Sequence, residues 1–243
     1  MKIKISLAIC FTIVALLTIT CDSDKCFYST GKEISTIINT DTFKVIEIRG
    51  LFDVELAQDT TYYVEGNGGE NVISNIEASV KKDTLTLYNY NSCFWMRKYK
   101  KPLVRIHFSD IDRVNVYESS YIFSKDSITN NLYITFQTMM AQCDLTINNN
   151  WVFFYVHHFT SGKYVFRGKT KDLSYYDFYS SLVDASELKA ETATIENYSI
   201  TDNKVWVTDR LTAKIFNRGN ILYKGNPQII IDTLASTGRV IKE

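Results

Sequence analysis

Alternation of apolar and polar positions dominates the chain from about residue 43 onward. In FKVIEIRGLFDVELAQ, Ile46, Ile48, Phe52, Val54 and Leu56 share one parity, with Gly50 between them. A period of two puts these side chains on one face of a half-buried strand. Asp59-Thr60 turns the chain, and Tyr62 and Val64 resume the pattern. DTLTLYN repeats it with Leu85 and Leu87, and VRIHF with Val104, Ile106 and Phe108. No stretch carries a sustained helical period with caps; 70–78 offers a turn or two. The pattern predicts an all-β unit.

From about Asp112 the strands shorten and a longer period emerges. Turn-like breaks fall at Glu118-Ser119-Ser120, Met140-Ala141-Gln142, Thr160-Ser161-Gly162, Ser180-Ser181, Thr201-Asp202-Asn203, Asn217-Arg218-Gly219-Asn220 and Ser236-Thr237-Gly238. They recur roughly every 16 to 22 residues, and a second set of breaks interleaves at the same period. Between them lie short apolar runs such as LYITF, WVFFYV, KYVF, TATI, VWV and ILY. Coils of about 20 residues with two or three strands each predict a parallel β-solenoid, preceded by a more irregular N-terminal β region. One coil cannot bury its own apolar face, whereas stacked coils bury a continuous core. A β-sandwich of short strands also predicts turns every ~8–12 residues, but not the doubled period. In NRGNILYKGNP, residues 217–227, ILY becomes a short strand between two corners. Gly219 and Gly225 are expected to supply backbone angles that other residues resist, and Asn220 and Asn226 tolerate the left-handed region.

FKVIEIRGLFDVELAQ, DTLTLYN, VRIHFSDIDRVNVYESS and RGNILYKGNPQIIIDTLASTGRV together resemble the bacterial auto-transporter adhesin, head GIN domain family. Its Gly-Asp/Asn-Ile-x-Tyr-x-Gly-Asn-Pro pattern is met by Gly219, Asn220, Ile221, Tyr223, Gly225, Asn226 and Pro227. The resemblance implies a right-handed parallel β-helix in an exported protein or lipoprotein of Bacteroides-like bacteria. It supplies no catalytic residues. Most corners here carry Ser, Asp, Asn or Met where the family favours Gly-Ser-Gly, and Ser109 replaces a customary Pro, which marks a divergent member.

Charge and the N-terminus set the address. The 243 residues carry 27 Lys plus Arg against 27 Asp plus Glu, and the one basic run is 96–101. That balance argues against a nucleic-acid partner. Lys2 and Lys4 precede an apolar run over 5–20, short for a membrane span and suited to a signal peptide. The run ends in LLTITC, which resembles a lipobox with Cys21 as the lipid-bearing residue. The organisation expected is therefore a signal peptide over 1–20, a tether over 21–42 and a solenoid domain over 43–243, anchored by lipid in the outer membrane and facing the periplasm or the surface. Cys26, Cys93 and Cys143 remain, an odd number with no CxxC spacing, so at most one bridge forms within the chain.

Candidate chemistry is sparse. His157 and His158 are adjacent on a strand and point to opposite faces, so no metal site is expected, and no motif implies a cofactor. A polysaccharide-processing β-helix enzyme needs acids stacked at one register of successive coils. Asp177, Asp184, Glu187, Glu191 and Glu196 do not recur that way. The candidate ligand contact is the aromatic cluster Tyr175, Tyr176, Phe178 and Tyr179, with Trp151, Phe153, Tyr155 and Tyr164 in adjacent coils. Exposed rings offer faces to a glycan or a protein partner. Aromatic residues also favour strands and stack in ladders between coils, which is the commoner arrangement. Parity places Tyr175, Asp177 and Tyr179 on one side and Tyr176 and Phe178 on the other. The expectation is a non-enzymatic envelope module that binds or supports. An enzyme, and an envelope component without an external ligand, are the alternatives.

Overall fold

The computed structural model of the chain describes residues 29–92, 101–157 and 160–243. The expected signal peptide, Cys21, Cys26, Cys93 and His158 lie outside the described residues. The alternating segments form strands that bend at corners and stack as a parallel β-solenoid of about six turns. β2 (Val45–Arg49) and β3 (Asp53–Gln58) meet at a corner and lie in different walls. β8 (Arg113–Val116) and β9 (Tyr121–Phe123) repeat the bend, followed by β10 (Leu132–Phe136) and β11 (Met140–Val156). β12 (Ser161–Ser199) keeps strand character around several corners, through nearly two coils. β13 (Asn203–Ile215), β14 (Ile221–Lys224), β15 (Gln228–Leu234) and β16 (Val240–Lys242) complete the stack.

The register gives the coil length directly. Met140 lies against Ser161, Asp184 against Lys204 and Asn203 against Ile221, all in parallel pairing. Those steps of 21, 20 and 18 residues bracket the period read from the sequence. The interior is a set of columns with one side chain per coil. One column runs Ile46, Val114, Ile134, Phe154, Tyr175, each the register partner of the next. All are buried, as are Val54, Ile122, Cys143 and Tyr164 in a second column. Burial of one such side chain stabilises by ~1.5–3 kcal/mol, and only the coils above and below provide the cover.

The N-terminal end departs from the simple repeat. β6 (Thr84–Asn89) and β7 (Leu103–Phe108) stack on one side of β2 and β3, while β8 and β9 stack on the other. The earlier coil in the chain is thus sandwiched between two later ones. Between them the chain leaves the stack as β4 (Tyr63–Gly69), the single turn α1 (Glu70–Ile73) and β5 (Ile76–Lys81). β4 pairs antiparallel with β7 and β5 with β6, which ends the parallel stacking. β1 (Glu33–Asn39), inside the stretch expected to be a tether, pairs with β4 along its whole length. An apolar cavity of about 360 Å3 lies at this end, lined by Ile34, Ile38, Val64, Ile73, Ile76 and Val104.

The family-pattern glycines serve corners, but for two different reasons. Gly225 has φ +103, as expected. Gly219 does not adopt a left-handed angle; a Cβ there would lie 2.1 Å from the Thr201 carbonyl oxygen of the preceding coil. Its constraint is close approach between coils, not backbone conformation. Asn220 ties the coils together: its Oδ1 accepts from the Arg239 N–H at 2.9 Å, and its Nδ2 donates to Asp202 at 2.9 Å. Asn226 accepts from Lys242 at 3.4 Å, and Pro227 immediately precedes β15. These residues are structural.

Candidate functional site

The predicted aromatic cluster divides among three environments. Tyr175 points inward, where its ring stacks on Phe154 at 4.5 Å and 11°, so it makes no contact with a ligand from outside. Its inward parity is shared with Asp177, also buried. Tyr164 is likewise interior. Tyr176 and Phe178 lie on the outer face, as parity requires.

That outer face is a ladder of rings. Phe178 stacks on Tyr198 at 4.5 Å and 9°, and Tyr198 on Phe216 at 4.2 Å and 3°. Tyr133 and Phe153 stack at 4.8 Å, with the Arg113 guanidinium over the Tyr133 ring. The spacing is that of hydrogen-bonded strands, ~4.8 Å. Rings stacked face to face along the solenoid axis turn their edges to solvent, because their faces cover one another. A sugar stacks on a face, so this ladder fastens coil to coil and offers little to a glycan.

Tyr179 is placed differently from these rings. It sits at a corner with φ +62, an angle uncommon for a residue with a Cβ. That turn breaks the alternation and swings Tyr179 outward, to 57% exposure, against the expectation that it shares the side of Tyr175. There it joins Met139, at 78%, and Met140, at 63% exposure. These three, with Tyr121, Ala141, Gly162, Gln142, Ser119, Ser120, Ser161, Asp53 and Lys101, line a groove of about 800 Å3.

The groove follows one edge of the solenoid, where corners of successive coils stack. Ser120 Oγ donates to the Gly50 carbonyl at 2.7 Å and accepts from the Phe52 N–H at 3.2 Å. The Gln142 N–H donates to the Ser120 carbonyl at 3.0 Å, and the Ser161 N–H to the Met139 carbonyl at 2.8 Å. Ser161 and Ser180 hydroxyls lie 2.6 Å apart. Small residues at these corners let the backbones approach and leave the larger Met and Tyr side chains standing at the rim. At one end, burial raises the Asp53 carboxyl above its ordinary value, and the Lys101 charge opposes this only in part. Burial likewise raises the Tyr121 hydroxyl.

The remaining polar groups are mostly tied into the fold. Arg105 bridges Glu55 at 3.0 Å and Glu65 at 3.1 Å, and Lys125 pairs with Glu55 at 2.8 Å. Arg167 joins Asp144 to Glu187, and Lys214 joins Glu196 to Asp232. His107, alone in its strand by sequence, has Nδ1 2.6 Å from Asp59 and a ring stacked on Tyr63. Its Nε2 is buried and unpartnered. Among the described residues no three His, Cys, Asp or Glu side chains form a metal-binding group. Nor is any helix there long and apolar enough to cross a membrane. Sequence reasoning passed over the groove, because Met140 was counted as a corner. The available signal was the Met139-Met140 pair where polar residues are usual.

Among curated proteins none matches the chain. The fold is shared with solved structures from Bacteroidales. A crystal structure of a putative adhesin from Bacteroides fragilis NCTC 9343 superposes with a TM-score of 0.76 at 18% identity, over 87% of this chain and 97% of that one. A putative lipid binding protein from Parabacteroides distasonis ATCC 8503 gives 0.61 at 17% identity, over 88% and 97%. A putative adhesin from the same strain gives 0.60 at 19% identity, over 88% and 98%. The family model described as "Putative auto-transporter adhesin, head GIN domain" matches residues 42–227, and the chain belongs to that family.

Proposed function

We propose that the protein is a non-enzymatic, adhesin-like binding module of the cell envelope, exported and held to the outer membrane by lipid on Cys21, and that it takes an alkyl chain in the corner groove. One observation carries the choice of site: Met139, Met140 and Tyr179 stand exposed together over a groove, whereas Phe178, Tyr198 and Phe216 stack on one another. Methionine is unbranched and polarizable, so paired methionines accommodate a flexible apolar ligand. An exposed apolar patch of this kind marks a binding surface more often than chance exposure does. The Parabacteroides distasonis neighbour, described as a putative lipid binding protein, agrees with an apolar ligand.

The test is titration with an environment-sensitive fluorescent alkyl probe with an uncharged head. Wild type is expected to bind it saturably, and Met140→Glu to weaken binding at least tenfold, since a charge in the groove costs desolvation. Equal binding by both proteins would remove the groove from the account. Address is tested separately by protease shaving of intact and lysed cells beside a Cys21→Ala variant. Digestion on intact cells, with release or incomplete processing of the variant, supports a lipid-anchored surface protein. Resistance until lysis would take away the adhesive role and leave a periplasm-facing one.

A further inference from the structure

Asp53 is out of step with the other acids around it. Glu55, two residues on, is held by Arg105 and Lys125, and Asp59 by Thr61 and His107. The Asp53 side chain has neither a hydrogen bond nor an ion pair among the described residues. Lys101 is near, but its ammonium group donates to the Ser119 carbonyl at 3.1 Å. Asp53 lies at the groove, partly withdrawn from water, beside its register partner Tyr121. A carboxylate that has lost water and gained no partner is under-compensated, and a cation placed against it recovers the deficit. The Tyr121 ring, stacked on Phe123 on one side at 5.2 Å, leaves at most its other face to attract an organic cation. Away from Asp53, Met139, Met140 and Tyr179 give the groove an apolar rim above a floor that also carries Ser119, Ser120, Gln142 and Ser161.

An unpaired carboxylate at one end, with Lys101 turned to the Ser119 carbonyl, and an apolar rim along the rest match an amphiphile with a positive head. We propose that the groove selects an amine-bearing lipid, its alkyl chain on Met139, Met140 and Tyr179 and its ammonium group against Asp53. This rests on the groove being the ligand site, and it adds the head group.

Three twelve-carbon probes separate the two claims: dodecylamine, dodecanoate and dodecyl maltoside, each titrated below its micelle concentration into the full chain at pH 7.5. The expected result is about tenfold tighter binding of the amine than of the maltoside, the size of one charge-assisted contact. Asp53→Asn is expected to bring amine affinity down to the level of the maltoside, measured on the same variant. Lys101→Met, which removes the competing charge without touching Asp53, tightens amine binding a few-fold and guards against a folding defect in the first variant. Preference for dodecanoate, equal binding of all three, or an amine preference that survives Asp53→Asn overturns the head-group proposal and leaves the groove standing. Failure of all three probes to bind removes the groove itself.

Discussion

The solenoid has two interiors. Up to Val156 its columns are apolar, with buried polar groups such as Ser120 confined to corners and outer walls: Ile48, Val116, Phe136 and Val156 follow one another in register, and all are buried. Beyond Tyr175 the interior is wired with polar groups, and Asp177, Ser181, Asn197, Ser199 and Asn203 are all buried. Asn203 donates to Asp177 at 2.7 Å and accepts from the Val183 N–H at 3.1 Å. Asn197 donates to the Gly219 carbonyl at 3.0 Å. The Ser199 hydroxyl lies 3.1 and 3.0 Å from the Tyr179 and Ser181 carbonyls, either of which can take its one proton. The same outer period thus holds two kinds of core. A dry column needs only volume and shape. A polar column needs a partner for each atom, drawn from a neighbouring coil, so it specifies which coil lies next.

The comparison breaks most visibly at Phe154, between Phe166 at 4.7 Å and Tyr175 at 4.5 Å. Phe154→Ala is expected to cost about 3–5 kcal/mol in urea unfolding, the sum of lost transfer energy and a cavity that rigid columns cannot close. A loss below about 2 kcal/mol would mean that the flanking rings collapse into the gap, and that the dry interior is softer than its register implies.

Asp177 sharpens it from the other side. Burial pushes its carboxyl up to about 7, although Asn203 and Ser181 donate to it. Between about pH 4 and 7 the folded state therefore keeps a proton that the unfolded chain has released. Stability falls as pH rises through that window and levels off above it, by up to about 4 kcal/mol from this group. Asp177→Asn keeps the shape without the charge. It is expected to flatten this slope and to raise the melting temperature at pH 8 while changing it little at pH 4. A variant that melts lower than wild type at pH 8 would show that the ionised carboxylate is itself a structural partner.

A smaller effect is expected at Tyr175, whose buried hydroxyl has no hydrogen-bond partner. Tyr175→Phe removes the stranded group and keeps the stack on Phe154, so it should stabilise by about 1 kcal/mol. Destabilisation of that size would instead mean that a buried water holds the hydroxyl, a second point at which the interior is wet.

How much of this was legible in the sequence depends on whether the information is local. Alternation over Ile46, Ile48, Val54 and Leu56, and the period beyond Asp112, report directly on side chains facing a narrow interior. They gave the walls and the coil length. Stacking order is not local: nothing in DTLTLYN or VRIHF says that β6 and β7 lie across β2 and β3 from β8 and β9. β1 reads as tether because a seven-residue strand at a cap needs no repeat. Parity distinguishes inside from outside but carries no ring tilt, so it places Phe178 outside without showing that its face is covered by Tyr198. It also fails wherever a corner resets it. The left-handed Tyr179 is such a reset, and the one groove residue in the predicted cluster was assigned to the wrong side.

Tyr179 also yields the smallest expected change in stability. A left-handed angle costs a residue with a Cβ ~1 kcal/mol, and glycine is free of that cost. Glycine also loses more chain entropy on folding, by ~0.4–1 kcal/mol, so the two terms nearly cancel. Through the backbone alone, Tyr179→Gly is expected to change unfolding free energy by no more than about 1 kcal/mol, and any larger loss measures the ring's own contacts. The same change removes one of the large apolar side chains from the groove, and alkyl-probe affinity should fall several-fold. Stability and binding then separate at a single corner, as expected where strain is retained for contact with a ligand. The opposite pattern, a stability loss of several kcal/mol with unchanged affinity, would assign the Tyr179 ring to the fold and leave Met139 and Met140 as the groove's contact surface.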